Sequence, residues 1–170
     1  MKAGVIGVGS YLPDKIITNN DLEKKVNTSD KWITERTGIS CRRKAYDGVC
    51  SSDLGAEAAK LAIKDANLKP KDIDLILSAS SSPDRIFPAT ACIIQDKIGA
   101  SNAAAFDIQA ACTGFVYALT TAAQYIVGGL YKNILIVGSE VLSKVTDMKD
   151  RNTCVLFGDS AGAVVLSEVK

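Results

Sequence analysis

The sequence predicts an α/β domain: a mainly parallel sheet with helices on both faces. Three observations carry that prediction. Apolar runs that read as buried strands alternate with stretches of helical periodicity. The runs "LILSASSS" and "NILIVGSEV" lack the charged alternation of a half-solvated strand, as suits a sheet covered on both sides. Finally, no residue from Ile108 to Tyr131 is charged, so the helix expected there has no solvent face.

The elements follow in order. Val5 to Val8 reads as a short buried strand; Leu12-Pro13 and Thr18-Asn19-Asn20 mark a loop into a small helix near "DLEKK". "TSDKWITER" is a second short helix, capped by Ser29 or Asp30 and stopped by Gly38. In "SSDLGAEAAKLAIKDANL", Leu54, Ala58, Leu61, Ala62 and Leu68 fall on one stripe of a helix that starts at Ser51 or Ser52. The strand "LILSASSS" comes next, then a helix from about Ala89 to Ile98 and a strand near "AAFDI". The uncharged helix from Cys112 to about Leu130, the strand "NILIVGSEV" and a final β-like "GAVVLSEV" complete the chain. A three-layer domain of this size seldom encloses a helix on every side, so a further layer, from another chain or an absent segment, is expected over the uncharged helix.

Composition bounds the function. With 170 residues, 47% of them hydrophobic, the chain suits one domain with a real core, and no linker or repeat divides it. Lys plus Arg is 20 against 19 for Asp plus Glu, without a basic block, which argues against nucleic acid. "MKAGVIGVGSYLP" lacks the long apolar region of a signal peptide, so a cytoplasmic protein is expected. The uncharged stretch is long enough to span a bilayer, but Gln109, Gln124, three threonines and three glycines make it too polar to face lipid. Cys41, Cys50, Cys92, Cys112 and Cys154 show no CxxC spacing and the chain has no histidine, so reduced thiols and no metal site are expected.

Two short patterns fail their structural context. "GVGSYL" lacks the third glycine of a dinucleotide-binding loop, and Pro13 blocks the helix that should follow. "GDSAG" fits a serine nucleophile elbow, but the strand-like "AVVLSEV" follows it and no histidine is present to activate Ser160; a tight turn between two strands is the expectation. Cys112 is different. At the first turn of a helix a thiolate is favoured by the dipole and by free N–H groups. Residue chemistry leaves two readings open, a nucleophile or the small core filler that Cys92 and Cys154 are expected to be.

In order and spacing, "NTSDKWITERTGI", "FPATACIIQDKIG", "AFDIQAACTGFVYAL" and "DRNTCVLFGDSAGAVVL" resemble the first half of the β-ketoacyl-acyl-carrier-protein synthase III family. The resemblance implies a thiolase-like fold, in which two βαβαβαββ halves pack as five α/β/α/β/α layers with the nucleophile's helix in the central layer. Residues 1–170 would be the N-terminal half. It further implies initiation of fatty-acid synthesis: the cysteine takes an acetyl or other short acyl group from coenzyme A, then condenses it with malonyl-acyl-carrier protein, releasing carbon dioxide. Acyl-coenzyme A is then a substrate and no separate cofactor is implied.

Matched motif by motif, the resemblance makes Cys112 the acyl-accepting nucleophile, its N–H helping to hold the thioester oxyanion. Trp32 and Arg151 would sandwich the adenine, Arg36 would face the coenzyme A phosphates, and Thr28 would hydrogen-bond near the nucleotide. Phe87, Leu142 and Phe157 would line the acyl pocket, Phe87 reaching the neighbour's site across a homodimer. The family's His and Asn, which stabilise the enolate, belong to a second half, so this chain alone is expected not to condense. The non-catalytic alternatives are a coenzyme A-binding or self-assembling half-domain and a thiol sensor at Cys112.

Overall fold

A computed structural model describes residues 2–170 of the chain. Its seven strands and six helices are β1 (Lys2–Tyr11), β2 (Lys15–Thr18), α1 (Asn19–Glu23), α2 (Asp30–Thr37), β3 (Cys41–Lys44), α3 (Ser51–Asp65), β4 (Leu75–Ala79), α4 (Thr90–Ile98), β5 (Ala104–Ile108), α5 (Gly114–Val127), β6 (Ile134–Val141), α6 (Arg151–Cys154) and β7 (Asp159–Val169). Setting aside the β2–β3 excursion and α6, the order is the expected βαβαβαββ. The main sheet runs β1-β7-β6-β4-β5. β4 pairs in parallel with both β5 and β6, whereas β7 is antiparallel to β6 and to β1. Four strands therefore point one way and β7 alone opposes them.

Period-two alternation sorts the core into two halves. Ile76, Leu135, Val137 and Val165 face α3 and α4, joining Leu54, Ala58, Ala62 and Ile94. Leu75, Leu77, Ile134, Ile136 and Leu166 face the other way and meet Ala118, Ala122 and Ile126 of α5. All five residues of β4 are buried, as a central strand with both faces covered requires.

The glycines of "VIGVGS" have a packing reason. A Cβ on Gly7 would stand 2.6 Å from Ala66 N, and one on Gly9 2.5 Å from Ala62 N, so α3 lies almost directly on the β1 backbone. The pattern that superficially fits a nucleotide loop is thus the inside of a strand pressed on a helix. β1 is also longer and less enclosed than expected, since Val5 and Val8 stand half exposed at the sheet edge.

One further expectation is corrected. "GDSAG" makes no turn: Asp159 to Gly162 are the first rungs of β7, with Ser160 paired to Glu140. This chain leaves the uncharged helix open on one side, the side over which a further layer is expected. Gly114, Ala118, Ala122 and Ile126 are buried at one-turn spacing, but Val116 is 57% and Tyr117 54% exposed on the opposite side. The helix lacks charge on both faces, yet only one face is covered here.

Candidate active site

The carboxyl ends of β4, β5 and β6 share one edge of the sheet, with Ala79 level with Ile108 and with Gly138. Because β7 runs the other way, its beginning lies at this same edge, Asp159 opposite Val141. Open α/β sheets bind ligands at this edge. The loops after β4, β5 and β6 and the segment entering β7 carry Phe87, Cys112, Leu142, Arg151 and Phe157, so strand direction alone gathers residues distant in sequence.

Cys112 does not occupy the first turn of an α-helix. It lies in a 3-10 turn, Ala111–Thr113, between β5 and α5. Ala111, just before it, holds the left-handed conformation at φ 47°, which is uncommon for a residue with a Cβ. The sharp turn presents the Cys112 thiol to solvent instead of burying it. Its seat is fixed from below: a Cβ on Gly114 would be 3.4 Å from Ala79 Cβ and 3.5 Å from Ile108 O, so α5 begins against the ends of two strands. Core filling is therefore wrong for Cys112, right for buried Cys154 and half right for partly buried Cys92.

The nucleotide-binding candidates are brought together by a separate small core. Leu22 and Ile33 pack with Cys154 and Val155, and Trp32 and Met148 rest on that cluster. Arg42, buried in the β2–β3 ribbon, donates to Asn19 Oδ1 at 2.8 Å and to Val155 O at 2.7 Å. Burial pulls its pKa below the ordinary guanidinium value. Ser29 is the α2 N-cap, accepting from Trp32 N at 3.1 Å, and Gly38 closes the helix at φ 71°.

The Arg151 guanidinium carbon lies 4.1 Å from the centre of the Trp32 ring, and that of Arg36 4.8 Å. Both cations are thus on the indole, and Arg151 is already near contact distance. A base could enter between Trp32 and Arg151 only if the guanidinium swung away by about a ring's thickness. The two residues expected to sandwich the adenine are thus brought together, with the guanidinium lying over the indole. Thr28 Oγ1 and Arg151 Nε are buried without a hydrogen-bond partner among the described residues, an arrangement that favours a polar ligand.

Of the acyl-pocket candidates, Leu142 is partly buried in the 3-10 turn after β6, and Phe157 is 42% exposed before β7. Phe87 stands 86% exposed beside Ile86, which is 99% exposed. These two project from the β4–α4 loop without cover in this chain.

Sequence reasoning missed the carboxylates that hold these loops. Asp159, 2% exposed, accepts from Ala45 N at 2.7 Å, Ser143 N at 2.8 Å and Ser143 Oγ at 2.6 Å, tying the β2–β3 ribbon to the turn that carries Leu142. Asp107 on β5 accepts from Thr90 N and Ala91 N at 2.7 and 2.8 Å, capping α4 just after the Phe87 loop. Glu140 accepts from Ser81 N and Ser82 Oγ at the loop's other end. An acidic residue inside an apolar strand was the available signal in all three, as it needs donors to be buried.

Among the described residues no group of three or more His, Cys, Asp or Glu is placed to hold a metal ion, and no helix is long and apolar enough to cross a membrane.

The fold is thiolase-like, with an exposed cysteine between the third parallel strand and a helix on the uncovered face. A family model described as 3-Oxoacyl-[acyl-carrier-protein (ACP)] synthase III matches residues 106–170. Beta-ketoacyl-[acyl-carrier-protein] synthase III of Caldanaerobacter subterraneus subsp. tengcongensis is 58% identical over 99% of this chain and 51% of its own length; that of Geobacillus kaustophilus is 59% identical over 99% and 54%. The crystal structure of 3-oxoacyl-[acyl-carrier-protein] synthase III from Aquifex aeolicus VF5 superposes with a TM-score of 0.96 at 49% identity, covering 99% of this chain and 54% of that one. Over nearly its whole length the chain is similar to β-ketoacyl-acyl-carrier-protein synthases III, and it spans about half the length of the curated relatives it matches. The priming β-ketosynthase of the R1128 polyketide pathway is also similar, at 34% identity with a TM-score of 0.96 over 99% of this chain and 50% of that one.

Proposed function

We propose that this chain supplies the acyl-accepting half of a condensing enzyme that starts fatty-acid synthesis in the cytoplasm. The observation that carries the reading is the exposed Cys112 thiol on a left-handed turn at the carboxyl edge of the sheet, with the Trp32–Arg151 stack served by the same edge. A short acyl-coenzyme A enters with its adenine between Trp32 and Arg151, its phosphates toward Arg36 and Thr28 bonding near the nucleotide. No resident cofactor takes part. The Cys112 thiolate attacks the thioester carbonyl; N–H groups at the start of the turn, which no earlier helical turn satisfies, receive the oxyanion. Coenzyme A leaves as its thiol, and the acyl group lies against Leu142, Phe157 and a Phe87 contributed by the second subunit of a homodimer.

Condensation with malonyl-acyl-carrier protein requires donors for the enolate formed as carbon dioxide leaves. This chain has no histidine. We assign that role to a C-terminal half carrying His and Asn, seated over the open face of α5. The 170-residue chain incubated with acetyl-coenzyme A should gain a hydroxylamine-labile acetyl group at Cys112, read by peptide mass spectrometry and lost in Cys112→Ser. It should yield no ketoacyl product from malonyl-acyl-carrier protein. Binding of coenzyme A without a thioester at Cys112 would support a non-catalytic binding domain instead.

A further inference from the structure

A second thiol lies at the same edge of the sheet, beside an amine. Cys50 precedes α3 as its N-cap residue and is only partly buried. Lys144, last residue of the turn that carries Leu142, donates from Nζ to Cys50 Sγ at 3.4 Å. Asp53 Oδ2 fixes the Cys50 backbone by accepting from its N–H at 2.7 Å. Among the described residues no carboxylate lies within ion-pair distance of Lys144, so its nitrogen is held by the sulfur and not by a salt bridge. The pair faces a hollow of about 100 Å³ bounded by Ser51, Ser82, Pro83, Asp84 and Val145, and an acetyl group occupies less than that.

We propose that Cys50 and Lys144 form a relay by which an acyl thioester acylates Lys144. The Cys50 thiolate attacks the carbonyl of the acyl-coenzyme A, an S–C bond forms, and coenzyme A leaves as thiolate and takes a proton. Lys144, after giving up its ammonium proton, attacks the new thioester. The N–C bond forms as the Cys50 S–C bond breaks, and the sulfur recovers a proton. The balance is acyl-coenzyme A plus a lysine ammonium giving an acyl-lysine amide, free coenzyme A and one proton. The first step is the same thioester exchange proposed for Cys112, so the inference rests on that reading for its acyl donor. The second step follows from proximity: Lys144 is exposed, but its amine lies 3.4 Å from the sulfur and meets its thioester in an intramolecular reaction, which a lysine with no thiol beside it does not. The amide cancels the cation two residues from Leu142, so acyl-donor abundance would be recorded beside the acyl pocket.

The test is peptide mass spectrometry of the 170-residue chain after incubation with acetyl-coenzyme A, before and after hydroxylamine. A hydroxylamine-stable acetyl group should accumulate at Lys144 about tenfold or more faster than at exposed Lys149, the excess expected of an intramolecular acyl donor. Cys50→Ser should bring Lys144 down to the rate of Lys149. Serine is a preferred N-cap residue, so that variant removes the thiol and keeps α3 intact. Lys144→Arg should trap a hydroxylamine-labile acetyl group on Cys50. Equal rates at Lys144 and Lys149, an unchanged rate in Cys50→Ser, or no thioester in Lys144→Arg would each overturn the proposal. Amide at Lys144 with no thioester at Cys112 would sink the condensing-enzyme reading and leave this one standing; thioester at Cys112 with no amide at Lys144 would do the reverse.

Discussion

The two faces of the central sheet are built to opposite specifications. On one, α3 and α4 close over Ile76, Leu135, Val137 and Val165, with the glycines of β1 letting the α3 backbone settle onto the strand. On the other, α5 covers the sheet with its alanine stripe and turns Val116, Tyr117 and Val127 outward. The closed face can hold the fold, whereas the open face carries the nucleophile at its head and presents apolar surface that a monomer rarely leaves exposed. Stability and chemistry are therefore separable here, and substitutions on the two faces should fail in different ways.

The largest effect belongs to the tightest contact. Gly9→Val drives a branched side chain into the α3 backbone around Ala62, with no side chain to rearrange out of the way. We expect no cooperative thermal transition and loss of the folded circular-dichroism signal. A folded Gly9→Val protein would show that the β1–α3 contact is not the foundation of the closed face.

Truncation within the sheet comes next. Leu77 is fully buried between β4's neighbours and α5, so Leu77→Ala should cost about 2–5 kcal/mol in denaturant unfolding. The loss should appear even though its covering helix is open on the far side, because the near side is sealed. A cost below about 1 kcal/mol would mean that α5 is loosely docked and that the comparison of faces overstates its contribution.

How much of this was legible in the sequence follows the same division. Helices α3 and α4 and strands β4 to β7 were visible because each repeats one apolar period long enough to register, and the sealed face enforces that period. The β2–β3 ribbon was not visible: "CRRK" is almost all charge, and it pairs through its backbone while Arg42 buries its guanidinium on Asn19 and Val155. α6 is a single turn, too short for any period. At the site, the uncharged helix correctly announced missing cover, but no spacing rule links Trp32 to Arg151. Only family resemblance paired them, and it could not foresee that the Arg151 guanidinium lies directly over the Trp32 ring. The supporting carboxylates Asp107, Asp159 and Glu140 went unnoticed because their donors come from loops that no periodicity describes.

A smaller effect tests the rim of the closed face. Asp53 is pushed up by burial, but hydrogen bonds from Lys97 and from the Cys50 N–H outweigh that and hold its carboxyl below the usual range. A depressed folded pKa contributes stability that is present above the unfolded value, about 3.9, and is lost as pH falls through the folded one. Acid should therefore loosen the start of α3 ahead of the core. Asp53→Asn should cost under about 1 kcal/mol at neutral pH, and the stability curves of the two proteins should converge in acid. Curves that stay parallel through the acid range would remove Asp53 from the pH dependence.

The smallest change in stability should come from the open face. Tyr117→Ser removes an aromatic ring that is 54% exposed and touches no covering layer, so unfolding of the dilute chain should shift by no more than about 0.5 kcal/mol. The same substitution should reduce any concentration-dependent association, measured by sedimentation, because the ring belongs to the apolar surface left uncovered. The two readings together decide what the open face is. If Tyr117→Ser instead costs as much as Leu77→Ala, and the cost grows with protein concentration, then the outer side of α5 is already covered in solution by a second copy, and stability and chemistry share that face.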